Sequence, residues 1–150
     1  MSTFHLFLAL LTLCCGYAFS RGGACEVLAA TFQLGAYLIG FALPRLNGPG
    51  AGAGVAAGFY LLDAILLAAL IVLATRSTRF WPLWIAGFQA AAVIAHTAKL
   101  LDPSMVPFGY ALQVRGWGYP MLVVTALGTW RHQRRVRADS PDPSWKARPN

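Results

Sequence analysis

Asp63, His96, Lys99 and Arg115 are four ionisable side chains set within or at the edge of long apolar runs, and Gln89 stands two helical turns before His96. A charge at bilayer depth costs at least about 2.5–3.5 kcal/mol, so such groups pair, face water, or do both. Spacings of seven and three put Gln89, His96 and Lys99 on one face of one helix. Asp63 is the acid placed deep enough to neutralise His96 or Arg115. The best pairing is Asp63 with Arg115, with His96 as a hydrogen-bonding third member, while Lys99 reaches outward toward Asp102 and the headgroups. A histidine and a carboxylate held together in a wet vestibule could move protons or contact a ligand. The same groups could equally serve as a buried ion pair that selects which helices become neighbours.

Other chemistry finds less support. No GxSxG or HExxH motif and no second deep aspartate is present, so a membrane peptidase is not expected. Haem ligation by His5 and His96 would need the first and fourth apolar runs to face each other. Cys14, Cys15 and Cys25 form no CxxC or Cys/His metal spacing and are expected as buried, reduced thiols. The residues call for no cofactor, no metal and no catalytic group.

The elements that must carry this cluster are membrane helices. Of 150 residues, 57% are hydrophobic and 11% charged, against about 25% charged in a soluble domain. An all-α integral membrane bundle of about five transmembrane helices is expected, with spans at about 4–19, 24–43, 55–75, 83–101 and 106–130. The first span is read as retained, because Met-Ser-Thr supplies no cation for a signal-peptide n-region. Gly22-Gly23 forms a turn in which both glycines are free to take positive φ. Glu26 complements the dipole at the start of the second span, where Gln33 is the mid-span polar group. Pro44 ends that span, and a glycine-rich loop follows over residues 45–54. Gly54 and Gly58 would let a neighbouring backbone approach closely. Phe80, Trp81 and Trp84 form an interfacial aromatic belt. Arg115, Gly116-Trp117-Gly118 and Pro120 interrupt the fifth span.

At about 1.5 Å per residue, Asp63 lies roughly 12 Å below the outer end of its span, and His96 and Lys99 roughly 8 and 3 Å below theirs. Arg115 lies roughly 14 Å below the outer end of the fifth span. All four therefore share the outer half of the bilayer.

Six of the twelve cations follow Trp130, and the net charge is +7. Residues 131–150 read as a basic, largely disordered tail, cytoplasmic and touching anionic lipid headgroups at about 1 kcal/mol per cation. The tail has no fold to position a nucleic-acid reading element. Arg21, Arg76, Arg79 and the tail fall on one side of a five-span chain, which predicts an outside N-terminus and a cytoplasmic C-terminus.

RFWPLW at 79–84, then Gln89, His96 and KLLDP at 99–103, then Tyr110, GYP at 118–120 and LGTWRH at 127–132 resemble small bacterial inner-membrane proteins of an uncharacterised family. The likeness covers roughly residues 60 to 132. It implies the topology and a bacterial inner membrane, and it implies no activity. The expected role is non-enzymatic, of accessory or assembly type, with a membrane-protein partner or a second copy of the chain. The alternative is a proton-coupled or small-ligand carrier that works as an oligomer through the Asp63–His96–Arg115 cluster.

Overall fold

The computed structural model describes residues 3–48, 52–101, 116–138 and 145. They form five helices: α1 (Thr3–Arg21), α2 (Ala24–Asn47), α3 (Gly52–Arg76), α4 (Trp81–Leu101) and α5 (Gly118–Arg137). Four of them, α1 to α4, are long and apolar enough to cross a membrane. In α5 the apolar part stops at Trp130, and Arg131, Arg134, Arg135 and Arg137 follow within the same helix.

The outward faces are apolar. Leu13, Leu61 and Ile94 are 71%, 60% and 67% exposed, a surface suited to hydrocarbon and not to water. Threonines on those faces satisfy themselves locally. Thr12 and Thr31 donate to the carbonyls of Leu8 and Val27, each at 2.8 Å, so no hydroxyl is left bare toward lipid.

Each helix packs against its neighbour in the chain, and α5 packs against both α4 and α1. The bundle is therefore a closed ring of five. It is pinched where α5 also touches α2, and there Gln33 Nε2 donates to Thr125 Oγ1 at 2.7 Å. One half of the ring is solid. Cys25, Ala29, Leu66, Leu70, Leu73, Trp81, Ile85 and Ala86 make one buried cluster, and Leu11, Cys14, Cys15, Ala18, Ala30 and Leu122 a second. Much of this is small side chains, because in lipid close backbone approach replaces the hydrophobic effect as the source of helix adhesion. All three cysteines are buried and unbridged.

That solid end is also the basic end. Gln133 Nε2 donates to the Arg21 carbonyl, and Cys25 Sγ lies 3.3 Å from Ser77 Oγ in the α3–α4 turn. Trp145 forms an antiparallel bridge with Ser77. The C-terminal tail thus returns to the bundle at that residue. The arginines of α1, of the α3–α4 turn and of α5 gather together here, with Arg45 and Lys99 at the opposite end.

Several local expectations change. Pro44 does not end α2, which runs on to Asn47. A proline this near the C-terminus forfeits a single backbone bond. Side chains also feed the freed carbonyls, since Arg45 Nη1 donates to Phe41 O and Asn47 Nδ2 to Leu43 O. The Gly22-Gly23 turn uses no positive φ; among the described residues only Gly48, at φ 72°, does. Gly23 is needed for space, because a Cβ there would lie 3.0 Å from His132 Cε1. Gly58 accepts the Leu43 side chain and not a backbone, while Gly54 faces open space. Trp81 leaves the aromatic belt for the core, at 8% exposure, with Phe80 and Trp84 left outside. Helical phase decides this: Trp81, Ile85, Gln89, Ala92 and His96 recur every three or four residues and are all buried.

Candidate binding cavity

The polar stripe of α4 ends against Asp63 of α3. His96 Nε2 lies 2.9 Å from Asp63 Oδ2. Gln89 Nε2 donates to Asp63 Oδ1 at 2.9 Å and to the Asp63 carbonyl at 3.2 Å. Both oxygens of one carboxylate are therefore engaged, by two side chains two turns apart on the same neighbouring helix. The Tyr60 ring stands edge-on to His96, with centroids 6.3 Å apart. Gln89 and His96 are buried, while the Asp63 side chain keeps 23% exposure.

That exposure is to a cavity. In the half of the ring away from the arginines the five helices separate and leave about 820 Å³. Asp63, Gln89 and His96 line one wall and Gln33 another. Phe7, Tyr37, Phe41, Phe59 and Tyr119 supply much of the remaining surface. Phe7 packs edge-on to Tyr119 at 5.2 Å and tilted to Tyr37 at 5.7 Å. Leu11, Leu66 and Leu122 close the bottom, where they belong to the solid core. The lining is apolar and aromatic with a few convergent polar groups, the usual character of a small-molecule site.

Of the five residues singled out in the sequence, three meet here: Asp63, Gln89 and His96. Arg115, expected as the partner of Asp63, lies outside the described residues. Asp102, expected to receive Lys99, does too. Lys99 itself is half-buried in the last turn of α4. His5 is exposed near the start of α1, whereas His96 is buried, so the two occupy different environments. Among the described residues no group of three His, Cys, Asp or Glu side chains could hold a metal ion.

Two contributors escaped sequence reasoning. Gln33 was visible as a lone mid-span amide, but nothing in its spacing said that it faces the same space as Asp63. Trp117 was read as part of a helix interruption. It stacks on Phe88 with centroids 5.6 Å apart and borders the cavity. At the basic end, Glu26 is fully buried, and its two carboxyl oxygens have no hydrogen-bond partner among the described residues. It sits in the first turn of α2, where the helix dipole favours a carboxylate.

No protein-family model, curated protein or solved structure matches the chain. The likeness seen over residues 60–132 rests on the quoted residues alone, and the site speaks through its geometry.

Proposed function

We propose that this chain is a non-enzymatic multi-pass protein of a bacterial inner membrane that binds a small lipid-soluble ligand, as a binding or carrier subunit. The observation that carries this reading is the cavity of about 820 Å³ closed at its floor and bordered by the Asp63–His96–Gln89 cluster. A structural ion pair alone needs no such space, since helices in lipid gain adhesion by packing closely. A floor of buried leucines favours capture over through-passage. The assembly reading keeps one supporting observation, which is that the same polar contacts join α3 to α4.

A filled cavity tests this. Ala36 borders the cavity, and Ala36→Trp is expected to leave the protein folded and abolish a ligand that co-purifies in mild detergent and is detected by mass spectrometry of the extract. If native and substituted proteins carry the same extractable molecules, the ligand reading fails and the assembly role takes its place.

In the proposed orientation the arginine-rich end is cytoplasmic and the cavity opens toward the outer leaflet, following the bias of cations to the inside. Reporter fusions at Asn150 and within the Gly50 loop are expected to read cytoplasmic and periplasmic respectively. A periplasmic reporter at Asn150 would reverse the cavity's orientation.

A further inference from the structure

Two buried polar atoms at the cavity have no hydrogen-bond partner among the described residues. One is Gln33 Oε1, an acceptor, on a side chain whose amide nitrogen is committed to Thr125. The other is the Trp117 indole N–H, a donor. Both residues line the same cavity, and Gln33 is only 7% exposed. An unmade hydrogen bond in a buried site costs more than a made one gains, so a ligand that completes both is favoured over one that completes neither. A hydroxyl donates and accepts at once.

Charge narrows the class. Among the described lining residues there is one acid, Asp63, and no lysine or arginine. An anion would meet that carboxylate with no described cation to offset it. A cation would have to compete with His96 and Gln89, which already occupy both Asp63 oxygens. A neutral head meets neither obstacle. The aromatic surfaces of Phe7, Tyr37 and Tyr119 present edges and faces that receive a flat ring well.

Building on the ligand-binding reading above, we infer that the cavity takes a neutral, lipid-soluble ring alcohol of the phenol or quinol class. Its hydroxyl donates to Gln33 Oε1, its oxygen accepts from the Trp117 indole, and its apolar tail lies toward Phe41 and the open end. Asp63, held by His96 and Gln89, then acts as a wall that disfavours anionic heads.

The test uses the full chain in lipid discs, titrated with 4-octylphenol, its methyl ether, octyltrimethylammonium and octanoate, and read by thermal stabilisation. The phenol is expected to bind about tenfold more tightly than the ether, which lacks the donor. Gln33→Leu should reduce that preference to near unity. Because Gln33→Leu also breaks the bond to Thr125, Trp117→Phe gives a second reading; it keeps the ring stack and should weaken the phenol several-fold. Equal binding of phenol and ether, or preference for a charged probe, overturns the ring-alcohol inference while the cavity reading stands. If no probe stabilises the native chain more than Ala36→Trp, both fall.

Discussion

Asp63→Ala is expected to lower the stability of the helical bundle by about 2–3 kcal/mol. The substitution removes both acceptor oxygens that Gln89 and His96 address, leaving two buried polar side chains on α4 facing an apolar space. One interhelical hydrogen bond in a membrane protein averages about 0.6 kcal/mol and reaches about 1.7. Two such losses, plus the desolvation left unmatched at His96, set the figure above either single bond. Asp63→Asn keeps an acceptor for Gln89 and should recover about half of the loss. Denaturant titration in detergent measures both, and a double-mutant cycle with His96→Ala should return a coupling of about 1 kcal/mol. An Asp63→Ala protein as stable as the native chain would mean that the cluster holds nothing together, and its ligand role would then stand alone.

Gly128→Val should be more damaging, at about 3 kcal/mol or beyond, with Gly128→Ala costing about 1–2. A Cβ at Gly128 would lie 2.6 Å from Trp81 Cε2 and 2.8 Å from its Nε1. No real contact is that short, and the indole cannot yield, since Trp81 is buried in the core. The closing contact between α4 and α5 must open, and the ring opens with it. Trp81→Phe in the Gly128→Ala background should restore part of the loss, because the smaller ring frees the volume that the methyl group needs. Folded yield and thermal melting report the result. Unchanged melting of Gly128→Val would show that α5 does not close the ring in this way.

Local chemistry made much of this legible. A helical period places Gln89 and His96 on one face whatever the fold, and intramembrane cost brings them to an acid, so the Asp63 neighbourhood could be reasoned from residue types. The identity of the partners could not. Arg115 was the stronger charge on paper, yet Gln89, a neutral amide, supplies the second contact to Asp63. Depth along a helix says how high a group sits but not which way it points around the ring.

Composition and periodicity by themselves determined an all-α bundle with four membrane-length helices, the gathering of arginines at alternate helix ends, and a polar stripe along α4. These follow from the bilayer's thickness and from hydrogen bonding within each helix, both of which act on one segment at a time. The tertiary structure alone decided that the five helices close into a ring, that Trp81 turns inward onto Gly128, and that one half is solid while the other is hollow. It also set Gln33 and Trp117 beside the Asp63 wall. Those outcomes depend on which small side chains meet across helices far apart in sequence, and no single segment carries that information.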